Sequence, residues 1–222
     1  MDRIPLIANS PIECLSDQKY IEDLMVKLGF NKEMLDEQPS IVKQNGGGLM
    51  IWQYPNQFSK YLMLLSTLSI NSYIEIGCRW GGTFILTMEY LKRFNSPVTG
   101  VAVDIIDSPV SQYQGGTFMK IDSGSAQFKN YMDSHFFDLV FIDGDHNYEG
   151  VSNDYHISKN SGKYFVFHDI VNDACPGVVR FWNELKQTET DCEFYEFTEQ
   201  YQEVFDRTGG KKYLGIGVMI KN

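Results

Sequence analysis

The 222-residue sequence predicts an α/β fold: a mostly parallel sheet covered by helices on both faces and closed by a C-terminal antiparallel hairpin. Three observations carry this. Between residues 55 and 186, short β-branched and aromatic runs alternate with helical patterns, and such alternation needs crossover connections. The run Ser72-Tyr-Ile-Glu-Ile76 breaks into glycine at Gly77, Gly81 and Gly82 before a helical pattern, the strand–turn–helix by which such folds bring backbone N–H groups towards a cofactor. After the last helix the alternation stops, and residues 193–197 and 213–220 read as two strands joined by a polar loop holding Gly209-Gly210.

The elements follow in order. Residues 16–30 place Tyr20, Ile21, Leu24, Met25 and Leu28 at helical spacing behind a Ser16-Asp17 cap, and Gly29 closes that helix. Residues 38–53 hold Pro39 and the run Gly46-Gly47-Gly48, too flexible a composition for core. A loop of this kind either covers a site or only connects, and the residues leave both open. The expected division is a helical or lid segment over 1–54 and the sheet domain over 55–222. Pro55 and Asn56 open a helix through Phe58, Tyr61, Leu62, Leu65 and Leu68 that leads into the first strand. Further strands are expected at 98–104, 117–121, 137–142 and 163–167, with helices at 83–94, 125–132, 150–158 and 176–186; Pro176 suits a first helical turn.

Composition narrows the function classes. Hydrophobic and aromatic fractions of 43% and 14% are enough for a full core. A formal net charge of -10 argues against nucleic acid or anionic membrane as partner, because phosphate binding needs clustered Lys and Arg. Cys14, Cys78, Cys175 and Cys192 show no Cys-x-x-Cys spacing and read as reduced thiols. No apolar leader or membrane-length stretch is visible, so a cytoplasmic protein is expected.

Ligands of open parallel sheets bind outside the carboxyl ends of the strands. Every such end here is polar: Glu75 with the glycine loop, then Asp104, then Asp122-Ser123-Gly124, then Asp143-Gly144-Asp145-His146, then His168-Asp169. The spacing Gly-x-x-x-Gly-Gly departs from the Gly-x-Gly-x-x-Gly that admits a pyrophosphate, and suits a cofactor without phosphate. Asp104, 22 residues after Gly82, is placed to accept hydrogen bonds from ribose hydroxyls, and Asp122-Ser123 to border an adenine. Asp143, Asp145 and Asp169 with His146 and His168 form a second constellation. Carboxylates so close raise one another's pKa unless protons or a cation compensate, and a hard divalent cation is the economical answer. The competing role for Asp143 or Asp169 is a plain helix cap. His146, on a strand-end loop, suits proton abstraction from a substrate hydroxyl. His135 and His156 read as structural.

The run Tyr73-Ile-Glu-Ile-Gly-Cys-Arg-Trp-Gly-Gly-Thr83 resembles the first motif of class I S-adenosylmethionine-dependent methyltransferases. Phe137-Asp-Leu-Val-Phe-Ile-Asp-Gly-Asp-His-Asn-Tyr-Glu-Gly-Val151, Phe167-His-Asp-Ile170 and Pro176-Gly-Val-Val-Arg-Phe-Trp182 are similar to its small-molecule O-methyltransferase branch, which includes macrolide-sugar methyltransferases and cephalosporin-hydroxylase-like proteins. The resemblance covers residues 53–185 and implies a Rossmann-like, seven-stranded sheet. It implies that Glu75, Gly77, Gly81 and Thr83 cradle the methionine part of S-adenosylmethionine, Asp104 the ribose, and Asp122 and Ser123 the adenine. It implies further that Asp143 borders the cofactor and, with Asp169, holds a divalent metal (Mg or Mn). Relatives place an acid where His168 stands here, and a nitrogen donor there favours manganese or another transition ion. The implied reaction is methylation of a small-molecule hydroxyl, with His146 or Asp145 removing its proton. Trp52, Tyr54 and Phe58 are candidates for the acceptor pocket, Arg180 is a weaker one, and a homo-oligomer is compatible with the family. The other readings are an inactive S-adenosylmethionine-binding protein, a non-haem iron oxygenase using His146, His168 and one acid, and a nicotinamide-dependent reductase, which the glycine spacing disfavours.

Overall fold

The computed structural model describes residues 1–31, 36–44 and 47–221. Among them, seven strands form one sheet in the order β3-β2-β1-β4-β5-β7-β6. These are β1 (Ser72–Ile76), β2 (Thr99–Asp104), β3 (Thr117–Lys120), β4 (Phe137–Ile142), β5 (Gly162–His168), β6 (Cys192–Phe197) and β7 (Ile216–Lys221). The first five run parallel, and β7 is antiparallel to both β5 and β6. The helices are α1 (Pro5–Ala8), α2 (Gln18–Leu28), α3 (Ser40–Lys43), α4 (Pro55–Leu65), α5 (Gly82–Phe94), α6 (Ala126–Asp133), α7 (Tyr148–Ser158), α8 (Pro176–Thr188) and α9 (Gln202–Arg207). None of the described helices is long and apolar enough to cross a membrane.

Period-two alternation sends each central strand into two cores. On β4, Leu139 and Phe141 join one face with Tyr61, Phe84 and Leu91 of α4 and α5, while Val140 and Ile142 join the other with Phe128, Tyr155 and Trp182 of α6, α7 and α8. Glu75 lies on β1 between Ile74 and Ile76, and the alternation puts it on the Tyr73 side, under α4. The expected caps form: Asp17 accepts from Tyr20 N at 2.7 Å, Ser125 from Phe128 N at 3.1 Å, and Pro176 opens α8.

Two expectations need correction. The C-terminal antiparallel hairpin closes the sheet as expected, with β7 between β5 and β6, but α9 lies in its connection and the last strand starts at Ile216 rather than 213. Leu214 and Gly215 have φ of 58° and 98°, left-handed backbone that cannot continue a strand. The loop over 38–53 is also not excluded from the core. Gly46 lies outside the described residues, but Val42, Leu49 and Ile51 are buried. Leu49 N and Ile51 N donate to Leu28 O and Gly29 O, and Gly82 lies against this loop so closely that a Cβ there would stand 2.3 Å from Leu49 O. Backbone pairing with the end of α2 supplies the order that composition lacks.

Candidate active site

The strand order reverses between β1 and β4, and a cleft of about 910 Å³ opens there at the carboxyl ends. Its walls include Glu75, Gly77, Thr83, Asp104, Asp122, Ser123, Asp143, Asp145, His146, His168 and Asp169, residues from five strand ends. Of the expected cofactor, metal and proton-transfer residues, Gly81 alone is not on the wall; its φ is 79° and a Cβ there would meet Val110 at 2.4 Å. Gly77 is glycine for another reason: at φ 88° its Cβ would lie 2.0 Å from Asp143 O, where the ends of β1 and β4 separate.

The amides of the glycine loop are engaged inside the protein. Gly77 N and Cys78 N donate to Val103 O at 2.9 and 3.0 Å, Gly81 N to Cys78 O at 2.7 Å, and Arg79 N to Asp104 Oδ2 at 2.6 Å. A loop so committed is not an anion nest for a pyrophosphate. Asp104 Oδ1 accepts from Ile106 N at 3.1 Å, which fixes the carboxylate at the cleft wall. Asp122 accepts from Gly124 N at 2.8 Å and so shapes its own turn. Glu75 is 2% exposed; Tyr73 donates its hydroxyl to it, and burial pushes its carboxyl well above the usual range despite that bond.

At the ends of β4 and β5 the second constellation closes into one cluster. Asp143 Oδ1 lies 3.1 Å from His168 Nδ1 and 3.3 Å from His146 Nε2, and Asp169 Oδ2 lies 3.5 Å from each of the same two nitrogens. Neither acid caps a helix, since Asn147 caps α7 and Cys175 occupies the cap of α8. Hydrogen bonding to Asp143 raises His146 to about 11. Burial opposes the charge of His168, but Asp143 and Asp169 outweigh it and raise that ring to about 10. Burial likewise opposes ionisation of Asp143 and Asp169, and the imidazolium charges outweigh it, holding both carboxyls below their usual range. The backbone of Asp169 is left-handed, φ 64°, and Asn172 donates to its Oδ1 at 2.7 Å.

The other candidates lie as follows. Asp145 is on the wall, but both of its oxygens accept from Asn147, through N at 3.1 Å and Nδ2 at 2.5 Å. Trp52 lines the cleft, with Arg79 stacked 5.2 Å from its ring, whereas Phe58 is core and Tyr54 is buried beside the cleft. Arg180 is exposed, pairs with Glu184 at 2.8 Å and stacks on Tyr148, away from the cleft. His135 and His156 bond helix carbonyls of Tyr131 and Ser152, consistent with structural roles. Sequence reasoning missed Asn172, Cys175 and Asp154. Asp154 is buried under Gly144, and burial raises its carboxyl to about 6 against a partly offsetting bond from Ser123. The signal for Cys175 was its place immediately before Pro176, at a helix start beside the fifth strand end.

No protein-family model matches the sequence, and no curated protein matches it. The parallel sheet with its reversed C-terminal pair and the cleft at the switch point make a Rossmann-like fold, which several solved O-methyltransferases share. The chain is similar in fold to the O-methyltransferase of Bacillus cereus, solved with S-adenosylhomocysteine: TM-score 0.56, 14% identity, 96% of this chain and 93% of that one. It is similar also to the O-methyltransferase TomG of Streptomyces achromogenes, solved with S-adenosylmethionine (TM-score 0.53, 15% identity, 93% and 99% covered). The mycinamycin-pathway methyltransferase MycE, solved with Mg and S-adenosylhomocysteine, aligns over 79% of this chain and 51% of its own length at TM-score 0.52 and 15% identity.

Proposed function

We propose that this chain is an S-adenosylmethionine-dependent, divalent-metal-assisted O-methyltransferase acting on a hydroxyl of a small molecule. The observation that carries it is the single cleft in which a phosphate-free cofactor wall (Glu75, Asp104, Asp122, Ser123) faces the His–Asp cluster of β4 and β5. The loop amides spent on Val103 and Cys78 favour a nucleoside cofactor over a dinucleotide. The solved structures with S-adenosylmethionine or S-adenosylhomocysteine bound to this fold support the same choice.

The cluster fits a divalent cation. Two carboxylates converge on the Nδ1 of the buried His168 ring, and the donor atoms stand 3.1 and 3.5 Å apart, the edge lengths of a small coordination polyhedron. Asp143, His168 and Asp169 would hold the ion, which would supply Lewis acidity to an acceptor hydroxyl and would cancel the carboxylate charge that otherwise keeps His146 protonated. S-adenosylmethionine supplies an electrophilic methyl group. The chain does the rest. Asp104, fixed by two backbone amides, accepts the ribose hydroxyls. Ser123 and Asp122 border the base, and Thr83 and the Glu75 carboxyl close the methionine end. His146 Nε2, at the half-exposed rim 3.3 Å from Asp143 and 3.5 Å from Asp169, takes the acceptor proton. Asp145 orients this loop through Asn147 rather than acting as the base. Trp52, Trp80, Met50 and Leu214 offer an apolar wall to the acceptor.

The test is to incubate the protein with S-adenosylmethionine, Mn²⁺ or Mg²⁺ and a panel of phenols, sugars and polyols, reading S-adenosylhomocysteine and methyl ether by mass spectrometry. Product is expected with wild type and not with Asp143→Ala. Cofactor binding without product from any acceptor would leave a binding protein instead.

A further inference from the structure

Asp154 has no part in the mechanism above, although it lies directly beneath the cofactor wall. It stands in the middle of α7, 2% exposed, and a Cβ at Gly144 would meet its Oδ2 at 2.9 Å. That oxygen has no hydrogen-bond partner among the described residues, and the donor that bonds the carboxylate is the Ser123 hydroxyl. Gly144 and Ser123 both line the cleft, beyond the ends of β4 and β3, so Asp154 joins two loops of the wall from below. Resting on the methyltransferase reading above, we propose that Asp154 is a positioning residue that sets base specificity. It takes the Ser123 proton and leaves that hydroxyl oxygen to act only as an acceptor towards the cofactor's base, so the site takes an aminopurine and rejects an oxopurine.

The donor inventory carries the argument. Burial, with smaller contributions from Asp145 and Asp122, raises the Asp154 carboxyl to about 6 against the Ser123 bond, so in mildly alkaline solution the group is ionised. An ionised carboxylate has no proton to give, and in its bond with Ser123 the hydroxyl must be the donor. A hydroxyl has one proton, so what remains to Ser123 is acceptor capacity. Asp122 beside it accepts from Gly124 N at 2.8 Å and adds acceptor oxygens to the same wall, but no donor. The exocyclic amine of adenine donates to such a wall, whereas an oxo group in its place sets oxygen lone pairs against oxygen lone pairs. A site built for one hydrogen-bond pattern rejects the other strongly, because its own polar groups are then left unpaired. Packing alone gives no use for a charge at this position, whose neighbours on the buried face of α7 are Val151, Tyr155 and Ser158. Without Asp154 the Ser123 hydroxyl would be free to turn and serve either base.

The test is calorimetric titration of S-adenosylhomocysteine and its deaminated analogue S-inosylhomocysteine into the full chain at about pH 8, where Asp154 is ionised. Wild type is expected to bind the adenosyl compound at least about tenfold more tightly. In Asp154→Ala and in Ser123→Ala that ratio should fall to about threefold or less, and the double variant should fall no further than either single one, since both changes remove the same bond. A merely structural Asp154 would weaken both ligands alike and leave the ratio as it was. Equal binding of the two by wild type, a ratio preserved in Asp154→Ala, or effects that add in the double variant would overturn the proposal. Thermal melts report folding. Should Asp154→Ala not fold, a full ratio in Ser123→Ala would overturn the proposal, and a collapsed one would support it. Failure of both ligands to bind wild type would count against the methyltransferase reading, whereas binding of both with a ratio unaltered in the variants would count against the role of Asp154 alone.

Discussion

Tyr73 and Glu75 show how one side chain sets the state of another. A carboxyl 2% exposed on a central strand has Tyr73 as its hydrogen-bond donor, next to the Tyr61 ring. Replacing Tyr73 with Phe leaves that buried carboxyl without its donor. The expected cost is about 1–3 kcal/mol of unfolding free energy, read from the urea midpoint; an unchanged midpoint would show that the bond contributes nothing. The acids of the site were legible in the sequence because each ends a β-branched run, as Asp104 ends Val-Ala-Val and Asp143 ends Val-Phe-Ile. Cys175 and Asn172 were not, because they follow the fifth strand by several residues of irregular chain, and only the turn at Asp169 brings them back. Asp154 was hidden for a different reason: it sits in mid-helix, where an acid ordinarily faces water, and here it faces the underside of Gly144.

At the scale of elements, the glycine loop is a joint between strands before it is a cradle. Gly77→Ala would force a methyl group into Asp143 O at a backbone φ of 88°, so both sterics and conformation oppose it. We expect a loss of more than about 2 kcal/mol in stability together with weakened metal binding, since the displaced residue is Asp143 itself. Thermal unfolding and manganese titration of the variant measure the two effects; a stable variant with full metal affinity would contradict this role. Strand β4 was readable to the residue because it is buried on both faces and bounded by polar turns. The reach of the loop over 38–53 was not, since its order comes from pairing with Leu28 and Gly29 and from Ser40 bonding Glu203 at 2.7 and 2.5 Å, contacts far apart in sequence. A helix in the final hairpin likewise hid behind a polar, glycine-bounded stretch.

For the whole molecule, alternation of strands and helices predicted the sheet and its end predicted the hairpin, in which β7 pairs with both β5 and β6 and sends Val218 and Met219 into opposite cores. The His–Asp cluster links global stability to pH. His168 and His146 are raised from an ordinary 6.5 to about 10 and about 11, so the folded state holds protons that the unfolded chain releases. Their contribution is full below about pH 6.5 and is lost as pH rises towards those values; the depressed Asp143 and Asp169 contribute above the usual carboxylate range and lose it in acid. Chelator-treated protein should therefore show a Tm that falls between pH 6.5 and 10, and falls less steeply with a bound transition ion. A Tm that is flat or rises over that range would contradict the assignment.

The central claim is that the cleft at the switch point holds S-adenosylmethionine with Asp104 on its ribose. The most direct measurement is calorimetric titration of the cofactor into wild type and Asp104→Asn, a change that keeps the shape and removes the charge. The account predicts binding by wild type and an affinity at least about tenfold weaker in the variant, the loss of one charged hydrogen-bonding group. No binding by wild type, or equal binding by both, would contradict it.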